Sequence, residues 1–262
     1  MGLYSDNLKD KVCVVTGAAK SIGFAIAQKY AEQGAKVVLL DIDPLVERSA
    51  EELREKGFQA FGAVLNITDR EAVLKTFERI VAEHGEIYAL INNAGAVDQR
   101  PFEENDEAVF EKMFKINVYG TAWCIQGAIE SMKRQKDGRI INFSSKSGKT
   151  GSALMGPYSA AKGAIISLTQ ALAYEYAPYN IKINCVCPGI TDATGVWSSV
   201  SAGYIDNLHL PREEVIKKFT AKVPLGRLTD KQDLVDFVFF LTVSGDYCTG
   251  QAFNVTGGRE MH

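Results

Sequence analysis

The sequence predicts a doubly wound α/β fold: a parallel sheet of about seven strands with helices on both faces. Three observations carry that prediction. Short apolar runs alternate with helical patterns from residue 12 onward. A glycine turn, Thr16-Gly17-Ala18-Ala19-Lys20-Ser21-Ile22-Gly23, joins the first run to the first helix. The chain has 262 residues, 46% of them hydrophobic, enough for one full core.

The run 12–15 ends at Thr16-Gly17, and Ile22, Ile26, Tyr30 and Ala31 then mark one helical face before Gly34 stops it. A second run, 36–40, meets Asp41, with a helix expected over 44–56 and a strand over 59–65. Helices near 69–83, 107–133 and 157–176 then alternate with strands at 87–91, 139–143 and 182–186. A helix near 231–241 and a strand at 251–255 close the series. The stretch 191–218 breaks the rhythm, is rich in Ser, Gly and Asn, and is too long for an ordinary connection. It predicts a lid insertion within a single domain, 1–262.

Charge and hydropathy narrow the function classes. Net charge is −3 and no long run of Lys or Arg appears, which argues against nucleic acid. The apolar runs fall far short of the ~20 residues a membrane helix needs. Residues 1–7 show neither a signal-peptide nor a myristoylation pattern, so a cytoplasmic location is expected. The five cysteines, Cys13, Cys124, Cys185, Cys187 and Cys248, read as reduced thiols, and the scattered His84, His209 and His262 suggest no metal site. His84, just before Gly85, reads as a helix-end residue facing the dipole.

The glycine turn lies where backbone amides and a helix dipole can hold a pyrophosphate. Asp41, at the end of the second strand, can accept both ribose hydroxyls and repel a 2′-phosphate, so NAD is favoured over NADP. Lys20 in the same turn is the contrary feature. Further on, Tyr158 and Lys162 stand four apart, on one face of a helix. A free phenol has a pKa of about 10, and a nearby cation lowers it, which suits a proton-transfer group. Ser144-Ser145 ends the fifth strand, where a doubly wound sheet opens its ligand crevice.

With Asn92-Asn93-Ala94-Gly95, Asn117 and Pro188-Gly189, these motifs resemble, in order, the short-chain dehydrogenase/reductase family, whose fold is of the Rossmann type. The resemblance implies that Tyr158 donates or accepts the proton, that Lys162 binds the nicotinamide ribose and lowers the tyrosine pKa, and that Ser145 bonds the reacting oxygen. Asn117 would hold a water in the proton relay. Gly17, Ser21, Ile22 and Gly23 would cradle the pyrophosphate, Asp41 and Ile42 the ribose, and Asn66 and Ile67 the adenine. Asn93, Ala94 and Gly95 would lie along the adenosine side, while Pro188, Gly189, Ile190 and Thr191 would hold the carboxamide.

Three positions depart from the family pattern. Ser21 replaces a glycine and must be strained or right-handed, or contact phosphate through its hydroxyl. Asn66 replaces an acid, leaving its carbonyl for the adenine amino group. Ala193 replaces a threonine, with Thr191 and Thr194 as substitutes. The segment Ser145-Lys146-Ser147-Gly148-Lys149 and the closing 247–258 resemble sorbitol-6-phosphate dehydrogenases and related polyol enzymes. Lys146 and Lys149 either meet an anionic substrate or are simply solvated.

The expected activity is therefore hydride transfer between NAD and a secondary alcohol or ketone, a polyol, sugar or sugar phosphate, in a homotetramer or dimer. Small diols and steroids are alternative substrates. A different class, the penicillin-recognising serine hydrolases, shares Ser5-Asp6-Asn7, Lys149-Thr150-Gly151 and Ser159-x-x-Lys162, but in the wrong order. A regulatory NAD-binding subunit without turnover is opposed by the intact Asn117, Ser145, Tyr158 and Lys162.

Overall fold

The computed structural model describes residues 8–191 and 211–262. Strands β1 (Val12–Thr16), β2 (Lys36–Asp41), β3 (Ala60–Val64), β4 (Ile87–Asn92), β5 (Gly138–Phe143), β6 (Ile181–Pro188) and β7 (Ala252–Val255) form one parallel sheet in the order β3-β2-β1-β4-β5-β6-β7. The order reverses between β1 and β4, so the loops after these two strands diverge and leave a crevice.

Side-chain alternation sorts the core onto two faces. On β1, Cys13 and Val15 pack with α1 (Ser21–Glu32), α2 (Leu45–Glu55) and the late helix that contains Leu234 and Val238. Val12 and Val14 face the other way, towards α3 (Arg70–His84), through Val73, Phe77 and Ile80. A period of two on the strand and 3.6 on the helix makes both layers possible. Asp69 caps α3 by accepting from the Ala72 amide at 3.0 Å. At the other end His84 stacks on Phe61 with ring centres 3.9 Å apart, and burial holds its imidazole below the usual pKa. Packing has replaced the charge–dipole role expected of it.

The helix expected over 107–133 is not continuous. It is α4 (Glu107–Phe114), a π turn over Lys115–Tyr119, and α5 (Gly120–Gln135). The extra residue of the π turn rotates Asn117 inward, fully buried, and such turns concentrate at functional sites. The serine-rich turn after β5 is a short helix, α6 (Lys146–Thr150), followed by α7 (Gly156–Tyr176).

Most of the expected lid lies outside the described residues. Its last part is helical: α8 (Arg212–Thr220) carries Glu213 and Glu214 in its first turn and Lys217 and Lys218 in its last, matching the helix dipole. Val215 and Phe219 bury one face of it. A closing helix, α9 (Lys231–Val243), starts in a reciprocal capping box between Asp230 and Asp233. Among the described residues no helix is long and apolar enough to cross a membrane, no metal-ligand cluster occurs, and Cys13, Cys124, Cys185 and Cys187 are buried free thiols.

Candidate active site

A cavity of about 820 Å³ opens at the carboxyl ends of the strands. Its first wall is the turn from β1 into α1. Gly17 has φ +65°, and a Cβ there would stand 2.8 Å from Ala94 Cα. A Cβ on Gly23 would stand 2.2 Å from the Gly17 carbonyl oxygen, so both positions require glycine. Gly23 itself does not line the cavity; it lets α1 start close beneath the turn. Asn93 Nδ2 clamps the turn by donating to the carbonyls of Thr16 and Gly17 at 3.0 and 2.9 Å. The Ala94 amide donates to Thr16 Oγ1 at 3.1 Å. Asn93 thus acts through the loop rather than simply lining the adenosine side.

Ser21 settles in the left-handed region, φ 58°, a conformation that strains a non-glycine residue by about 1 kcal/mol. Its Oγ is buried without a hydrogen-bond partner among the described residues. An orphaned hydroxyl at a helix start, beside glycines that leave backbone exposed, suits a pyrophosphate. Ile22 lines the same wall.

At the end of β2 the Asp41 carboxylate accepts from the Ala19 amide at 2.9 Å and the Asp43 amide at 3.0 Å, and still faces the cavity. Ile42 beside it is 65% exposed, an apolar platform. Lys20, also on the cavity wall, pairs with Asp43 at 3.3 Å. The Leu45 amide and then Lys20 hold the Asp43 carboxyl below its ordinary range. Asn66 and Ile67 close this end. The expected use of the Asn66 carbonyl is corrected: it already accepts from the Thr68 amide at 3.0 Å and the Thr68 hydroxyl at 2.9 Å, filling both lone pairs.

The opposite end gathers the titratable groups. Ser144 and Ser145, the latter singled out by the family resemblance, take different roles here. The Ser144 hydroxyl is buried and donates to the Lys162 carbonyl at 2.7 Å, tying β5 to α7. Ser145 caps α6, its Oγ accepting from the Ser147 amide at 3.1 Å, and bonds the Tyr158 phenol. Lys162 Nζ donates to the Phe143 carbonyl at 2.8 Å and lies 5.8 Å from the Tyr158 ring centre.

Burial acts on both groups in the chain by itself. Burial pushes the phenol above 10, opposed by the Ser145 hydrogen bond, and burial brings Lys162 down from 10.5 to about 8. Desolvation favours the neutral form of both groups.

Asn117 is placed differently from a simple water holder. Its Nδ2 donates to the carbonyls of Ala96 at 2.9 Å and Met113 at 3.0 Å, and its Oδ1 accepts from the Ala96 amide at 3.2 Å. The side chain therefore braces the loop after β4. A Cβ on Gly95 would fall 2.8 Å from Asn117 Oδ1 and 3.3 Å from Lys162 Nζ, so only glycine lets the loop pass between them.

After β6, Pro188, Gly189, Ile190 and Thr191 line the wall, fixed by the Gly189 amide on the Val255 carbonyl and the Thr229 amide on the Ile190 carbonyl, both 3.0 Å. Ala193 and Thr194 lie outside the described residues. Sequence reasoning did not find Phe219 or Arg259, which also line the cavity. Only the glycine pair before Arg259, a turn signal, hinted that the end of the chain folds back. Lys146 reaches the cavity and Lys149 does not.

Comparison with known proteins agrees with this architecture. The family model described as short chain dehydrogenase matches residues 11–204. The chain is 35% identical to a sorbitol dehydrogenase of Cereibacter sphaeroides over 97% of its own length and 99% of that protein. It is 34% identical to a galactitol 2-dehydrogenase of Agrobacterium fabrum, again over 97% and 99%. A crystal structure of NAD+-bound xylitol dehydrogenase superposes with a TM-score of 0.91 at 32% identity, covering 96% of this chain and 99% of that one.

Proposed function

The chain belongs to the short-chain dehydrogenase family, and from that premise we propose that it is an NAD-dependent dehydrogenase of secondary alcohols, with a polyol or sugar as substrate. The observation that carries the reading is the convergence of Ser145, Tyr158 and Lys162 on one end of the cavity. NAD supplies the hydride acceptor when bound. In alcohol oxidation the Tyr158 oxygen takes the hydroxyl proton while Ser145 holds the same oxygen, and the electron pair of the C–H bond leaves as hydride. Lys162, held by the Phe143 carbonyl, offsets the negative charge of the phenolate that exists before the proton is taken, and would donate to the nicotinamide ribose. Asn117 fixes the loop that borders this ammonium, the place where a relay water would sit.

The cofactor side is assigned to Gly17, Ser21, Ile22 and Gly23 for the pyrophosphate and to Asp41 and Ile42 for the ribose. Ile67 and Asn66 would border the adenine, the latter through its amide nitrogen. Pro188 to Thr191 would hold the carboxamide. NAD over NADP is supported by the Asp41 carboxylate, which both neighbouring amides orient towards the cavity, and by the pairing of Lys20 with Asp43. Polyol substrates are supported by the names of the relatives. A homo-oligomer would pair the surfaces of α5 and α7, near which Tyr119 and Tyr174 are exposed by 50% and 87%.

The test is NAD reduction by the purified protein on sorbitol, galactitol and xylitol, with NADP and Tyr158→Phe as controls. Turnover with NAD that Tyr158→Phe abolishes, without loss of NAD binding, is the expected result. NAD binding with no turnover on any alcohol or matching ketone would overturn the assignment.

A further inference from the structure

The cavity wall beside Ser145 carries two cations that hydride transfer does not use. Lys146 follows Ser145 directly, Arg259 follows β7, and both line the cavity. Glu260 sits between them, its Oε1 3.6 Å from Lys146 Nζ and 3.3 Å from Arg259 Nε. The three side chains are only 14%, 14% and 8% exposed. Two cations thus share one carboxylate oxygen in surroundings poor in water, while Glu260 Oε2 has no hydrogen-bond partner among the described residues.

A triad built only to anchor the chain end would pair its charges closely and use both oxygens. Among the described residues this one leaves one positive charge unanswered. Lys146 spends one good hydrogen bond on the Gly151 carbonyl, at 3.0 Å. The Arg259 guanidinium lies 5.5 Å over the Phe219 ring, which fixes its plane at the cavity edge. A planar guanidinium held in that way is a two-pronged donor for a phosphate or carboxylate. The cofactor's own phosphates belong elsewhere: the turn after β1 is two strands from β5, about 10 Å along the sheet.

We propose that Lys146 and Arg259 form a subsite for one anionic group, a phosphate or a carboxylate, at the end of the substrate chain remote from the reacting carbon. The inference rests on the dehydrogenase reading above and narrows its substrate class to acidic polyols or hydroxyketones. Bound there, the anion cancels the surplus charge of the triad.

The experiment compares sorbitol, sorbitol 6-phosphate and gluconate in two assays: kcat/KM with NAD, and calorimetric binding to the NADH-loaded protein. At least one anionic compound is expected to exceed sorbitol by about 10- to 100-fold, and which one does so separates phosphate from carboxylate. Arg259→Gln and Lys146→Gln are expected to collapse that ratio towards one, mainly through KM, and Lys146→Arg to preserve it. Turnover of sorbitol at equal or better efficiency than both anions overturns the subsite and leaves the dehydrogenase standing. Absence of all turnover sinks the dehydrogenase reading, and the binding ratio then decides the subsite alone: a tenfold preference for an anion keeps it, equal binding removes it.

Discussion

The ammonium of Lys162 donates a 2.8 Å hydrogen bond to the Phe143 carbonyl at the edge of a cavity whose walls hold it only 5% exposed. A buried ammonium costs stability, and burial lowers this one from 10.5 to about 8. Below about pH 8 the group is protonated in both folded and unfolded chains, and the folded state bears the cost. Between 8 and 10.5 the unfolded chain binds more protons, so wild-type stability rises with pH.

Lys162→Met should therefore lose turnover yet gain about 1–3 kcal/mol of stability at pH 7, once the lost bond to Phe143 is deducted. The gain should shrink as pH rises past 8. Denaturant unfolding of the cofactor-free protein at pH 7 and pH 9.5 checks this, and a variant less stable than wild type at pH 7 would contradict it.

The hydrogen bond from Ser145 lowers the Tyr158 pKa against burial. Ser145→Ala should move the acid limb of the alcohol-oxidation profile to higher pH and lower kcat by about 100-fold. An unmoved limb in a pH series of kcat/KM would show that the hydroxyl does not tune the phenol.

Gly23→Ala places a methyl 2.2 Å from the Gly17 carbonyl oxygen, and backbone must shift to admit it. Expected are a loss of NAD affinity of about 30-fold or more and a destabilisation of about 1–3 kcal/mol. Fluorescence titration with NADH and a thermal melt read both. Unchanged affinity would mean that the turn is not the phosphate cradle.

Asp41→Ser removes the carboxylate that faces the ribose position while keeping a small oxygen for the Ala19 amide, its 2.9 Å partner. The NADP-to-NAD ratio of kcat/KM should rise by about 100-fold, and adding Asp43→Asn, which frees Lys20, should raise it further. If the ratio stays put, cofactor choice lies elsewhere in the cavity.

The fold was legible because its signals are local. Alternating apolar runs, Asp69 and Asp230 at helix starts, and glycines where the chain turns each act over a few residues, and every strand appears where the sequence placed it. Gly17, Gly23 and Asp41 were legible as well, since their spacing follows from one strand-turn-helix unit. The 107–133 helix was misread because a π turn changes hydrogen-bond partners without changing the apolar pattern. The 191–218 stretch predicts a lid insertion without its helix α8, although Glu213, Glu214, Lys217 and Lys218 carry a dipole signature for it.

The sequence by itself determined the doubly wound sheet, the glycine turn and the Tyr158–Lys162 spacing, all consequences of short-range geometry. Tertiary structure alone decided that Asn117 braces a loop, that burial raises the Tyr158 pKa, and that Arg259 and Lys146 share Glu260. These outcomes depend on strands β5, β6 and β7 lying side by side, and on desolvation. Both arise from contacts between residues as much as 114 positions apart, which no local pattern encodes.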